Sequence, residues 1–267
     1  MLFSILIAHY NNFEYFKECY KSILSQTYRN FEIILVDDCS SDDSYQKIIE
    51  FTKEAPNVRL FQNHRNMGVG FTKRRCIEMA SGEICGFLDP DDAIVENALE
   101  ISIENHNKDN IATYSKFYLC DNQLKPIRIF QHSRAVKNAK KEFFNVFLEV
   151  NHFFTFKKEA YERTAGINPE LTSAVDQDLY LKLYETGNLK FINAPLYYYR
   201  LHDKGVSQES SKKEKLNKNW HQVISEAAKR RNIDRLYHRK ISDIEYLPIF
   251  LKQKQNNLLT KILRKFS

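Results

Sequence analysis

The sequence contains no run of about 18 apolar residues, so it predicts no helix that crosses a membrane. Its N-terminus carries a short apolar stretch, Leu2–Ile7, with no basic residue before it, which is not the pattern of a signal peptide. Internal repeats and low-complexity tracts are also lacking. From these absences we expect a soluble, cytoplasmic protein.

Cysteine pairs of the C-x-x-C type are absent as well. The five cysteines are scattered along the chain, at Cys19, Cys39, Cys76, Cys85 and Cys120. A disulfide framework would use an even set in an oxidising compartment, and a zinc site would use close pairs. We therefore expect reduced thiols, most of them acting as small buried apolar side chains.

Excess positive charge is missing from most of the chain, although the net charge is +6 over 267 residues. Residues 204–267 hold sixteen cationic and six acidic residues, so the rest of the chain is acidic overall. We expect one domain over 1–205 and a basic, mainly helical extension over 206–267. The amphipathic stretch Leu258–Phe266 would suit peripheral contact with an anionic membrane, but a solvated basic helix face explains the same pattern. Nucleic acid is not expected as a partner.

Apolar runs alternate with helical patterns in the first third of the chain. Phe3–Ala8, Phe31–Val36 and Ile84–Leu88 are continuous apolar runs, typical of strands buried on both faces. This order predicts an α/β fold with a Rossmann-like, mostly parallel central sheet and flanking helices. Ligands of such sheets bind at the carboxyl ends of the strands, and the polar clusters of this sequence fall there.

The second half of the chain has a more mixed pattern. Phe143–Val150, Asp178–Tyr184 and residues 214–231 have the spacing of helices. Leu196–Leu201 is rich in aromatic residues and reads as a strand. The polar, basic composition after about residue 204 supports the domain boundary given above.

The third apolar run leads directly into an acidic cluster, Asp89-Pro90-Asp91-Asp92. Carboxylates are the ligands that Mg²⁺ and similar hard cations prefer, often together with substrate phosphates. The pattern therefore indicates a metal site formed by Asp89 and Asp91. A turn that caps the next helix is the alternative, because Asp and Pro favour turns.

Other polar residues near predicted element ends each allow a functional and a structural interpretation. Asp38 could accept a hydrogen bond from a base or a ribose, or cap a helix. Lys73, after two loop glycines, could meet a diphosphate, or belong to a basic helix face. Asp176 could act as a general base, or as an N-cap. Alternation along a strand places Arg200 and His202 on one face, where the histidine could bind a metal or be structural.

Taken in order, these segments resemble family 2 glycosyltransferases with the A-type nucleotide-diphospho-sugar fold. The resemblance covers roughly residues 1–205. It rests on the segments Ser4–Asn11, Ser22–Tyr28, Phe31–Ser40, Asn66-x-Gly68, Ala80–Glu83, the D-x-D pair Asp89 and Asp91, and Asp176-x-Asp178-Leu179. No single segment is specific, but the ordered series is.

The resemblance implies roles for individual residues. On the donor side these are Ala8, Tyr10, Asp38, Asn66, Lys73 and Asp89. Mn²⁺ or Mg²⁺ would be held by Asp89, Asp91 and His202, and Asp176 would be the general base. His152 and Arg200 are assigned to the acceptor side. Val175, Lys73-Arg74 and Cys39 depart from residues common in the family.

The function implied is an inverting transfer of a sugar from a nucleotide donor, taken as a UDP-sugar. The acceptor would be a hydroxyl of a glycan or lipid-linked molecule in bacterial surface polysaccharide synthesis. The processive signature Q-x-x-R-W is absent, which favours single additions. Two alternatives stay open: a nucleotidyltransferase acting on a sugar phosphate, which would normally have a glycine-rich loop after the first strand, and a non-catalytic module binding membranes or nucleic acid.

Overall fold

The computed structural model describes residues 1–202 and 213–256 of the chain. Its strands are β1 (Phe3–His9), β2 (Phe31–Asp37), β3 (Val58–Gln62), β4 (Ile84–Phe87), β5 (Ala93–Ile94), β6 (Asn110–Cys120), β7 (Pro126–Ile129), β8 (Thr155–Lys157), β9 (Asn188–Arg200), β10 (Arg235–Leu236) and β11 (Arg239–Lys240). Its helices are α1 (Phe13–Leu24), α2 (Ser44–Thr52), α3 (Val69–Met79), α4 (Ala98–Asn105), α5 (Lys158–Glu162), α6 (Val175–Tyr184), α7 (Lys213–Arg230) and α8 (Leu247–Gln255). The predicted amphipathic stretch Leu258–Phe266 lies outside the described residues.

The first half of the chain forms the parallel part of a nine-stranded sheet, as predicted. β1 pairs in parallel with β2 and β4, with Phe3 opposite both Phe31 and Ile84, and β2 pairs in parallel with β3. Side chains of β1, β2 and β4 are almost all buried, because helices cover both faces of the sheet. The predicted α/β class is confirmed, and the carboxyl ends of these strands lie at one edge.

The second half extends the same sheet with pairs of both directions. β8 is antiparallel to β4 and β6, whereas β6 and β9 run parallel from Asn110 and Asn188 to Cys120 and Arg200. The two-residue strand β5, which follows the acidic cluster, pairs with β9 through Ala93 and Tyr198. This topology brings the end of β9 beside the turn that follows β4.

Part of the segment predicted as a basic extension packs against the rest of the chain. Trp220, Val223 and Ile224 of α7 are buried in the same apolar cluster as Tyr180 and Leu183 of α6. The predicted helical pattern over 214–231 is therefore confirmed by α7. Within residues 1–202 and 213–256, no helix combines the length and apolar character needed to cross a bilayer.

The predicted helix over Phe143–Val150 is wrong. This segment consists of turns, with left-handed backbone at Asn145 (φ 51°) and Leu148 (φ 57°). The Asn145 side chain accepts a bond from the Val150 amide and donates one to the Val150 carbonyl, both at 2.9 Å. Asn tolerates the left-handed region and bonds nearby backbone, so it stabilises turns where apolar spacing alone indicated a helix.

Buried His106 gives a test of how the second half of the sheet is held. Its Nε2 lies 2.8 Å from the Thr155 hydroxyl oxygen, and burial lowers the His106 pKa from 6.5 to about 4. The unfolded chain therefore takes up a proton below about pH 6.5 that the folded protein takes up only near pH 4. Stability should fall between those two values, by about 3 kcal/mol in total for this group.

We expect His106→Gln to reduce that dependence on pH. Urea unfolding at pH 7 and at pH 4.5 would measure the change in unfolding free energy for each protein. The matched control is His238→Gln, because His238 is exposed. Equal acid destabilisation in both variants and the unchanged protein would contradict the assignment to His106.

Candidate active site

The acidic turn after β4 is fixed by its least accessible member, Asp92. Its carboxylate accepts bonds from the Tyr197 hydroxyl (2.7 Å) and the Arg200 amide (2.8 Å), both on β9. Burial, together with the carboxylates of Asp91 and Asp89, raises the pKa of Asp92 well above its usual value. Asp92 therefore anchors the turn, while Asp91 and Asp89 remain partly accessible.

Lys73 joins the acidic turn to the predicted base. From the middle of α3, its ammonium lies 3.0 Å from Asp89 Oδ1 and 2.8 Å from Asp176 Oδ1. Burial alone would lower the Lys73 pKa, but the two carboxylates outweigh it and raise the pKa above its usual value. Burial acts in the opposite direction on Asp89, and Lys73 outweighs it, so the pKa of Asp89 is lowered. The three groups form one charged cluster at the carboxyl edge of the sheet.

Asp176 lies in the first turn of α6, where the helix dipole favours a carboxylate. Its side chain is 35% exposed, so it stays accessible while paired with Lys73. A small pocket beside it is lined by Phe87, His152, Phe154, Asp176, Leu179 and Tyr180. An accessible carboxylate at the wall of a mostly apolar pocket is suited to accept a proton from a bound hydroxyl group.

Helix capping was the structural alternative at three acidic positions: Asp38, the acidic turn and Asp176. Asp38 lies well before α2, whose N-cap is Asp43. The acidic turn lies before α4, whose N-cap is Asn97. The N-cap of α6 is Ala174, in a left-handed conformation (φ 57°), and no side chain caps that helix. The capping interpretations are therefore wrong.

Asp91 and His202 meet at the same edge, with Asp91 Oδ2 and His202 Nε2 2.8 Å apart. Among the described residues, no group of three or more His, Cys, Asp and Glu side chains is arranged to hold a metal. Two ligand atoms at right angles on an ion with bonds of about 2.1 Å are roughly 3 Å apart, which is close to this spacing. The pair could therefore supply two ligands to a Mg²⁺ or Mn²⁺ ion.

Arg200, expected on the acceptor side, lies beneath this pair. It is only 2% exposed, and its guanidinium donates to Glu18 Oε2 (2.5 Å), the Asp91 carbonyl (2.6 Å) and the Asn122 carbonyl. The Tyr15 ring covers it, 4.5 Å from the guanidinium carbon. These donors face protein groups, so Arg200 holds the Asp91 loop in place.

Asp38 connects the end of β2 to the loop before α3. Its two carboxylate oxygens accept bonds from the amides of Met67 and Gly68, each at 2.8 Å, and from the Asn63 side chain at 2.7 Å. Gly68 has a positive φ of 89°, which glycine adopts without strain. Asp38 thus shapes the loop that contains Asn66, whose side chain is exposed.

The other residues assigned by resemblance lie at the same edge or border the pocket. Ala8 is partly buried in β1, and Tyr10 follows it with 43% of its surface exposed. His152 stacks on Tyr197 with ring centroids 4.6 Å apart and an interplanar angle of 14°. Burial lowers the pKa of His152, although the Asp89 and Asp176 carboxylates act in the opposite direction. The lowered pKa favours a neutral ring.

Comparison with known protein families agrees with this arrangement. The family model described as Glycosyl transferase family 2 matches residues 4–164, which is more than half of the chain. The chain belongs to glycosyl transferase family 2.

The relatives of this family 2 member differ in how much of their own length the chain covers. The Escherichia coli chondroitin synthase is 28% identical over 262 residues, which are 96% of this chain but 37% of that protein. The chain thus spans little more than a third of that relative. The UDP-Glc:alpha-D-GlcNAc-diphosphoundecaprenol beta-1,3-glucosyltransferase WfgD of Escherichia coli is 27% identical over 234 residues, covering 82% of this chain and 84% of WfgD.

Solved structures share the fold of this family 2 member. S. aureus TarS 1–349 in complex with UDP-GlcNAc has a TM-score of 0.66 at 21% identity, covering 88% of this chain and 68% of that one. The mannosyltransferase PcManGT from Pyrobaculum calidifontis, in complex with GDP-Man and Mn²⁺, has a TM-score of 0.61 at 16% identity, covering 93% and 66%. At these identities the likeness establishes a common fold.

The residues that support this site were not predicted from the sequence. Asp92 was considered only as part of the acidic cluster, and Tyr197, its partner, was assigned no role. The ring of His9 is also buried, with Nδ1 3.0 Å from Asp37 Oδ1, and Asp37 in turn accepts a bond from the Ser40 amide at 2.9 Å. The continuous apolar runs of the adjoining strands could have indicated these residues. Polar groups at the end of a buried strand are themselves buried and need hydrogen-bond partners.

Proposed function

We propose that the protein is an inverting glycosyltransferase that moves a sugar from a nucleoside diphosphate donor to an acceptor hydroxyl. The observation that carries this proposal is the meeting of Lys73, Asp89 and Asp176 at one edge of the sheet. A cation suited to a diphosphate and an accessible carboxylate suited to a proton lie within 2.8 Å of each other. Transfer from a donor of this type needs both groups close to the breaking bond.

The reaction is a single displacement. Asp176 accepts the proton of the acceptor hydroxyl while the oxygen forms a bond to the anomeric carbon of the donor. The bond from that carbon to the diphosphate breaks, and the nucleoside diphosphate leaves with the electron pair. Attack opposite the leaving group inverts the anomeric configuration. Lys73 offsets the negative charge that develops on the diphosphate.

Asp91 and His202, with Asp89 beside them, would hold a Mn²⁺ or Mg²⁺ ion. Such an ion supplies positive charge to the diphosphate when it is bound. Arg200 fixes the Asp91 backbone from below, and Asp92 fixes the turn, so these residues hold the carboxylate in place before substrates arrive. Ala8, Tyr10, Asp38 and Asn66 would surround the nucleoside, either directly or through the loop that Asp38 holds.

A UDP-sugar is the proposed donor and a glycan or lipid-linked hydroxyl the proposed acceptor. The names of the chondroitin synthase and WfgD, and the UDP-GlcNAc bound to TarS, support this choice. They also support a role in polysaccharide synthesis. We propose that this synthesis takes place on the cytoplasmic side of a membrane. Residues 1–205 are the proposed catalytic domain and 206–267 its proposed basic extension, for which peripheral membrane contact is the proposed role.

Calorimetric titration with UDP, with and without Mn²⁺, tests the proposal. We expect a dissociation constant on the order of micromolar with Mn²⁺ and weaker binding without it. Hydrolysis of a panel of UDP-sugars would then identify the donor. GDP, CDP and dTDP are the matched nucleotides: binding of one of these in place of UDP corrects the donor, and failure of all four contradicts the proposed function.

A further inference from the structure

Residues 125–141 carry an unusual concentration of positive charge, and we name this segment the basic track. It contains six cations and no acidic residue, although the first 203 residues are acidic overall. All six are exposed, and they are Lys125, Arg128, Arg134, Lys137, Lys140 and Lys141. Within residues 1–202 and 213–256, only Arg134 among them forms an ion pair, with Glu149 at 2.8 Å.

The backbone of the basic track is attached to the body of the protein along its whole length. β7 pairs with the end of β6, and the Phe130 amide donates to the Phe117 carbonyl at 2.9 Å. Further along, the Val136 amide donates to the Tyr114 hydroxyl (3.1 Å) and the Lys140 amide to the Tyr184 hydroxyl (2.9 Å). The charges therefore lie on an ordered surface whose backbone is already positioned before a ligand binds.

The basic track begins beside the candidate active site. Cys120 of β6, where β7 starts to pair, is also opposite Arg200 of β9. Phe130 stacks on Phe117 with ring centroids 4.7 Å apart, and Phe117 contacts His152 at 5.8 Å. His152 lines the pocket that contains Asp176, so a chain of aromatic rings connects this pocket to the basic track.

The opposite end of the basic track opens into a cavity of about 470 Å³. Lys140 and Lys141 line it together with Arg230 and Arg231, and Glu185 is the only acid among its lining residues. The Asn138 side chain donates to the Leu189 carbonyl, near the start of β9, so the segment runs back along the sheet from the site edge. Leu189 is opposite Ala112 of β6, eight residues before Cys120, and at about 3.3 Å per strand residue this span is roughly 25 Å, enough for several sugar units.

We propose that the basic track binds the acceptor, and that the acceptor is a linear glycan bearing carboxylate or phosphate groups. The cations match its charge, and the exposed ring of His132 offers a face for a sugar ring. Because Cys120 is opposite both Pro126 and Arg200, one end of the basic track lies at the site edge of the sheet. A strip of this shape fits an extended polymer better than a flat bilayer. The identity of the occupant as acceptor rests on the proposed function.

The test uses the full chain with a fluorescein-labelled hexagalacturonate as a carboxylated glycan and unlabelled maltohexaose as a neutral competitor of equal length. The triple variant Lys137→Gln, Lys140→Gln, Lys141→Gln removes three exposed cations of the basic track. Its control, Lys21→Gln, Lys53→Gln, Arg163→Gln, removes three exposed cations elsewhere and changes the net charge equally. Fluorescence anisotropy at low and high salt measures affinity for each protein.

We expect the first variant to bind hexagalacturonate about tenfold more weakly, with a smaller dependence on salt, and the control to bind like the unchanged protein. Maltohexaose should not displace the labelled ligand. Equal losses in the two variants, no loss in either, or displacement by maltohexaose would overturn the proposal, as would a track-dependent affinity for phosphatidylglycerol vesicles without glycan binding. Calorimetry of the same proteins with UDP, GDP, CDP and dTDP separates the two hypotheses, because failure to bind any of the four contradicts the proposed function alone.

Discussion

Replacing Asp176 by Asn should lower the rate of sugar transfer about a thousandfold while leaving UDP binding in place. The amide has nearly the same shape as the carboxylate but cannot accept the acceptor proton. Lys73 keeps its second partner, Asp89, at 3.0 Å, so the cluster retains one ion pair. Steady-state kinetics with the donor identified by the UDP-sugar panel would give the rate, and calorimetry the UDP affinity.

The matched control for this variant is Asp109→Asn. Asp109 is an exposed acid just before β6, at the edge of the sheet away from the site, so its replacement should leave transfer unchanged. A fully active Asp176→Asn protein would remove Asp176 from the role of base. A variant that also failed to bind UDP would indicate that Asp176 shapes the donor site instead.

Replacing Asp91 by Ala should abolish the part of UDP affinity that depends on Mn²⁺. Asp91 supplies the accessible carboxylate of the pair with His202, and its loss leaves only His202 and the Lys73-paired Asp89 to hold the ion. We expect UDP binding with Mn²⁺ to weaken about tenfold or more and to approach the value without metal. Titrations of UDP with Mn²⁺ and with a chelator would measure both affinities.

Glu96→Ala is the control for the Asp91 variant. Glu96 is an exposed acid shortly after β5 and lies in the same connection between β4 and α4. Its removal changes the net charge equally but should leave the Mn²⁺ effect intact. If the Asp91→Ala protein kept a full Mn²⁺ effect, the pair with His202 would not be the metal site.

Much of the fold could be predicted from the apolar runs, because a short continuous apolar run between turn signals is typical of a strand buried on both faces. Phe3–Ala8, Phe31–Val36 and Ile84–Leu88 were predicted within one or two residues of β1, β2 and β4. The strand-end rule then placed the acids at one edge. The resemblance assigned residues far apart in sequence, such as Lys73 and Asp176, to one active site, and their ion pair is a finding of the structure.

Contacts that depend on tertiary structure could not be predicted from the sequence. Arg200 pairs with Glu18, 182 residues away, and nothing in either neighbourhood indicates that partner. Spacing also misled for Phe143–Val150, where apolar side chains face the core from a chain of turns. Apolar periodicity reports which side chains are buried, and the backbone path between them is set by local bonds such as those of Asn145.

Lys73 serves two carboxylates with one ammonium group, and this has a consequence for the order of events. In the proposed mechanism a diphosphate can recruit Lys73 only in competition with Asp176, so donor occupancy and release of the base are thermodynamically linked. An acceptor arriving first meets a carboxylate still neutralised by its partner. In this mechanism the donor binds first and the acceptor second. Before the donor binds, Asp176 remains paired with Lys73.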